Sequence, residues 1–251
     1  MENIRIGVEW FDELLPDGFP SHTSTLISGP GGSGKPLIGF AVVSARLRQG
    51  GSTVFMALQY PKRDFVSESM RIVTQLDLAE YAERTVFIEF DPAIEEMEAP
   101  QGNGFKANLV KPAVWDNAIQ RACSLVPDEG PGILVFGSAL NLLLFSPTYS
   151  EATFERMKAT LAEDKRRTYV FSVSTKPKPE EIAMLEAAAD NLVMSRKAKA
   201  TFLLYMTIER MKGVRHVADE IEVPIPSELL AQVREMADHS RRRVIPLIRE
   251  L

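Results

Sequence analysis

Thr25-Leu26-Ile27-Ser28-Gly29-Pro30-Gly31-Gly32-Ser33-Gly34-Lys35-Pro36-Leu37 is the stretch on which the fold turns. Its β-forming and apolar residues lead through a glycine-rich turn into an apolar segment, Leu37 to Leu47, that suits a helix. Gly29 to Lys35 keeps the spacing G-x-x-x-x-G-K, and the strand before it and helix after it supply the context that a phosphate loop requires. The glycines let successive backbone N–H groups curl inward, the helix N-terminus adds partial positive charge, and Lys35 can reach outer phosphates. The candidate phosphate-binding residues are therefore Gly29, Pro30, Gly31, Gly32, Ser33, Gly34, Lys35 and Pro36.

Downstream the alternation continues. Ser52 to Leu58, Thr85 to Phe90, Gly132 to Phe136 and Thr168 to Val173 read as strands; Asp64 to Leu76, Val114 to Leu125 and about Glu151 to Lys165 read as helices. Alternating strands and helices predict a parallel sheet with helices on both faces. After Asp190 the pattern changes: Phe202 to Arg210 and Asp219 to Val223 read as strands without a crossover helix, which predicts an antiparallel edge. Asp91 to Pro112 reads as a long mobile loop. Pro224 and Pro226 break the chain, and Ser227 can cap a helix striped by Leu229, Leu230, Val233 and Met236. The expected organisation is a core over residues 1–225 and a helical appendage over 226–251.

Composition bounds the function. The chain has 251 residues, 45% hydrophobic and 25% charged, enough for one well-packed domain. A formal net charge of −5 argues against coating nucleic acid by bulk charge. A single cysteine, Cys123, and the lack of a signal-like or membrane-spanning run predict a cytoplasmic chain without an internal disulfide. Cys123 falls in an apolar-patterned helix and reads as a buried structural thiol. His22 and His216 lack spaced ligand partners for zinc, Arg241-Arg242-Arg243 reads as a solvated helix end, and Trp10 and Trp115 are not interleaved with basic residues as a stacking platform would be.

The chemistry beside the loop is depleted. The position after Lys35 ordinarily carries the Ser or Thr hydroxyl that binds Mg²⁺; here it is Pro36, without hydroxyl or N–H, yet compatible with a helix's first turn. The strand Ile133-Leu134-Val135-Phe136 ends in Gly137-Ser138 where a metal-holding acid is expected, and the strand from Thr53 runs into Gln59 where an activating carboxylate is expected. Glutamine can orient water but cannot take its proton. Glu89 and Asp91 are the candidate substitute carboxylates near a strand end.

These motifs together resemble the KaiC-like branch of the RecA superfamily. Gly7-Val8 with Phe11-Asp12-Glu13-Leu14-Leu15 and Gly18-Phe19-Pro20 is similar to the family's opening motif, with Phe11 for Leu and Asp17 for Gly. Gln59-Tyr60-Pro61 stands at the family's Glu-Glu-Pro, Gly137-Ser138 at its Asp-Ser, and Ala189-Asp190-Asn191 at its Ala-Asp-Gly. Arg210-Met211-Lys212-Gly213 with His216 resembles its Lys-Met-Arg-Gly-x-x-His. The resemblance, over roughly residues 4 to 223, implies a RecA-like three-layer α/β fold with a mostly parallel sheet. It also implies ATP or ADP at subunit interfaces, self-association or a related RecA-like partner, and Arg210 and Lys212 as candidate contacts to phosphates of a neighbouring subunit. Losses at Pro36, Gly137 and Gln59 make Mg²⁺ binding doubtful and predict a pseudo-ATPase acting in regulation or assembly, with no metal ligands. The alternatives are a slow ATPase completed in an oligomeric ring, and a DNA or recombinase accessory protein, for which nucleic-acid binding would be salt-dependent.

Overall fold

The chain opens with a short antiparallel pair, β1 (Asn3–Ile4) and β2 (Phe19–Pro20), bracketing α1 (Glu9–Leu14). The computed structural model describes residues 3–58, 63–198 and 203–251. Asp12 pins this opening segment, its carboxylate accepting the N–H groups of Ile6 and Gly7 at 3.0 Å each.

The quoted stretch then forms β3 (Ser24–Gly29), the phosphate loop and α2 (Lys35–Arg48). Next come β4 (Ser52–Ala57), α3 (Arg63–Thr74), β5 (Thr85–Phe90), β6 (Gly104–Ala107), α4 (Pro112–Cys123) and β7 (Ile133–Gly137). After them follow α5 (Ser150–Glu163), β8 (Thr168–Ser174), α6 (Pro179–Ala188), β9 (Asn191–Lys197), β10 (Leu204–Arg210) and β11 (Ile221–Val223). Among the described residues the main sheet has nine strands in the order β11-β10-β9-β3-β8-β7-β4-β5-β6. From β9 to β6 neighbours run parallel; β10 and β11 pair antiparallel at one edge, as the sequence implied.

Three differences from the sequence reading have physical causes. The stretch expected to be a mobile loop contains β6, whose Phe105 and Ala107 are buried and whose backbone extends the sheet beside β5. Residues 191–197, not expected as a strand, form β9 beside β3. Its buried positions include Asn191 and Ser195, so apolar alternation was weak. The helix α6, which returns the chain from β8 to β9, also went unread. Phe202, where the β10 reading began, lies outside the described residues.

The sheet divides two hydrophobic cores. One holds α1, α2 and α3 with Phe40, Phe55 and Phe136; the other holds α4, α5 and α6 with Trp115, Phe171 and Tyr169. A C-terminal helical run, α7 (Ser227–His239), a π-helical turn over Ser240–Val244 and α8 (Ile245–Arg249), reaches both. Leu229, Leu230 and Val233 join the first core and Ile248 the second. Among the described residues no helix is long and apolar enough to cross a membrane.

Arg46 stitches α2 to the sheet. Its fully buried guanidinium donates to the Pro131 carbonyl and to Thr168 Oγ1 at 2.8 Å, bridging the segments that lead into β7 and β8. Truncation would leave both acceptors buried and a cavity beside them, so Arg46→Ala is expected to lower the unfolding free energy by about 3 kcal/mol or more, read from the urea midpoint.

Candidate phosphate-loop site

The loop leaves β3 at Gly29, where the sheet leaves no room for a side chain. A Cβ there would lie 2.3 Å from the Ser195 carbonyl oxygen on β9. Gly32 and Gly34 hold φ of 72° and 70°, the left-handed conformation that glycine adopts freely, and this turns the chain into α2. Ser33 Oγ hydrogen-bonds Ser195 Oγ at 2.9 Å, and Thr175 N–H, just past β8, donates to Gly29 O at 3.1 Å. The loop is thus gripped by strands on both sides of β3. Ser195 is a supporting residue that the sequence reading missed.

Lys35 turns into the loop. Its Nζ donates to Gly29 O at 3.0 Å, Pro30 O at 2.6 Å and Ser33 Oγ at 3.3 Å, and the side chain is buried. Burial pushes the amine down to about 7, while the three oxygens facing it favour the ammonium. Pro36 sits in the first turn of α2, where its missing N–H breaks no helix bond.

The positions that would hold Mg²⁺ carry no oxygen ligand from a side chain. Pro36 has no hydroxyl. A Cβ on Gly137, the last residue of β7, would meet Leu140 Cδ2 and Phe171 Cδ1 at 3.1 Å each, so hydrocarbon fills the place of a carboxylate. Gln59 lies outside the described residues. The substitute carboxylates are committed elsewhere: Glu89 to Arg63 at 2.8 Å and Asp91 to Lys106 at 3.3 Å. Among the described residues no group of three or more His, Cys, Asp or Glu is placed to hold a metal ion.

Arg210 and Lys212 are engaged within their own chain. Arg210 donates to the carbonyls of Glu186, Ala189 and Asp190, and Lys212 Nζ meets Asp190 Oδ1 at 2.7 Å. Burial pushes the Asp190 carboxyl up, but hydrogen bonds from Lys165, Lys212 and the Ser24 N–H hold it below the usual range. Asp17, at the altered glycine of the opening motif, forms a two-pronged pair with Arg215 at 2.8 Å. Cys123 is buried, its thiol pushed up to about 11, in keeping with a structural role.

The helix α7 lies directly on the loop. A Cβ on Gly34 would be 2.8 Å from Leu230 Cδ2 and 3.1 Å from Leu204 Cδ2, and one on Gly32 would be 3.2 Å from Arg234 Cγ. The space left between loop, β10 and α7 is about 10 Å³, on the order of a single water. A phosphate group enters on that side only if α7 or β10 yields.

A glycine-rich loop joining a central parallel strand to a buried helix, with an inward lysine, defines a P-loop protein of RecA-like α/β fold. The KaiC ATPase family model matches residues 4–235, and the chain belongs to that family. Its fold is similar to the crystal structure of a KaiC-like protein from the hyperthermophilic archaeon Pyrococcus horikoshii. The TM-score is 0.67 at 17% identity, over 90% of this chain and 96% of that one. No curated protein matches the chain.

Lys35 gives the site a measurable pH signature. Between about 7 and 10.5 the unfolded chain keeps this lysine protonated while the folded one releases the proton. The unfolded state therefore binds more protons, and stability rises with pH across that window. Subtracting the pH–stability curve of Lys35→Met from that of the native chain is expected to leave a component that climbs from pH 7 to 10.

Proposed function

We propose that this chain is a non-hydrolysing member of its family, a nucleotide- or phosphate-binding protein that acts in regulation or assembly. The observation that carries the reading is the paired loss around the loop: Pro36 at the start of α2 and Gly137, enclosed by Leu140 and Phe171, at the end of β7. The binding surface for phosphate is kept, while the side chains that would hold a metal and its water are replaced by a ring and by hydrocarbon. ATP or ADP is the proposed ligand, bound without dependence on Mg²⁺, in a cytoplasmic protein that self-associates or joins a related subunit.

The contact of α7 with the loop supplies a route to regulation. A ligand that binds better when α7 is displaced shifts the population toward the displaced state by its difference in affinity. Arg210 and Lys212 would reach a neighbouring subunit's phosphates only by leaving the Asp190 segment, so a role for them in trans belongs to a rearranged assembly.

Thermal unfolding across an ATP titration, with and without Mg²⁺, tests this reading. Ligand at 100 times its Kd stabilises by about 2.7 kcal/mol, which for a domain of this size raises Tm by about 5 to 10 °C. The expected shift is equal with and without Mg²⁺ and is lost in Lys35→Ala; a shift that requires Mg²⁺ would support the slow-ATPase reading instead. In the same complex, ATP is expected to raise amide hydrogen exchange across residues 227–239, and unchanged exchange there would remove α7 from the mechanism.

A further inference from the structure

A second concavity lies on the other side of the loop tip. It has a volume of about 520 Å³, within the range of small-molecule sites, and is walled by the segments after β7 and β8 and by the C-terminal helical run. Of the phosphate loop only Gly31 reaches it; Lys35 does not.

Its chemistry is one-sided. Lys176, Arg241 and Arg249 line it, and no Asp or Glu does. Arg241 is paired with Asp238, and Arg249 lies over the Phe145 ring at 5.5 Å, which leaves its charge without an acidic partner there among the described residues. Lys176 is exposed, with no partner among the described residues. Asn141, 4% exposed, accepts the Ser174 N–H at 2.9 Å through Oδ1, which orients the carboxamide; no hydrogen bond among the described residues engages its Nδ2. Leu142, Phe145 and Ile245 supply an apolar side.

The backbone here is also unusual. Ala139, on the wall, holds a left-handed conformation with φ 56° and ψ 41°, which a side chain disfavours. The helical run widens into its π turn at Ser240 and Arg241, two of the residues that line the cavity.

We propose that this cavity is a binding site for a small organic phosphate ester, its anionic group held by Lys176, Arg249 and the Asn141 carboxamide and its apolar body against Phe145 and Ile245. The site adjoins the phosphate loop at Gly31 but differs from the nucleotide reading in that Lys35 does not line it. A ligand bridging Lys176 on the β8 segment and Arg249 on α8 would also hold the C-terminal run in its docked position.

Calorimetric titration with phenyl phosphate, inorganic phosphate and ATP tests the proposal. One saturable site for phenyl phosphate is expected, at least about tenfold tighter than inorganic phosphate because the ring is buried. The affinity should fall at least about tenfold in Lys176→Gln/Arg249→Gln and be unchanged by Mg²⁺ or by Lys35→Ala. Both replaced side chains are on the surface, so the double variant should unfold at the native temperature; Asn141→Asp, which places a like charge beside the anion, is a second variant expected to weaken binding. Absence of saturation, native affinity in the double variant, or loss of phenyl phosphate binding in Lys35→Ala would each overturn it. ATP binding lost in Lys35→Ala while phenyl phosphate binding persists separates this site from the loop.

Discussion

The close approach of Gly29 to Ser195 ties the loop to the sheet, and the features around it follow from that contact. With only 2.3 Å between a would-be Cβ and the β9 carbonyl, β3 can end against β9 only as glycine. The chain then has to curl at Gly32 and Gly34 before α2 begins. That curl brings the Gly29 and Pro30 carbonyls and the Ser33 hydroxyl around the Lys35 amine. The loop is therefore a packed structural junction, whose shape does not rest on oxygen ligands at Pro36 or Gly137.

The want of a side-chain oxygen at Pro36 and Gly137 costs the fold little. Pro36 stands where a helix tolerates proline, and Gly137 stands where two apolar side chains already close the space. An oxygen ligand at either place would serve a bound metal, since the helix and the strand end are complete without it. Packing of α7 against Gly34 points the same way: the C-terminal run covers part of the loop with Leu230 and spans both cores through Val233 and Ile248.

Much of this was legible in the sequence because it depends on short-range patterns. The loop spacing, the alternation of strands and helices and the antiparallel edge all rest on local periodicity and glycine placement. Asn191 and Ser195 hid β9, since a central strand that buries polar residues to serve its neighbours lacks the apolar signal of one that buries Val and Ile. β6 hid in a run of acids and prolines, because its pairing with β5 is set by the sheet edge and not by its own composition. Leu230 read as a member of a helix stripe; that it and Arg234 meet the loop is a long-range fact that no spacing encodes. The same holds for Lys176, Arg241 and Arg249, whose convergence on one cavity depends on three separate segments.

Phosphate release from ATP at saturating Mg²⁺, comparing the native chain with Lys35→Ala, tests the central claim most directly. The account predicts equal rates at the background of the assay, because neither Pro36 nor Gly137 can hold a metal. Turnover in the native chain that disappears in Lys35→Ala would contradict it and would mean that groups from another subunit or another part of the chain complete the site.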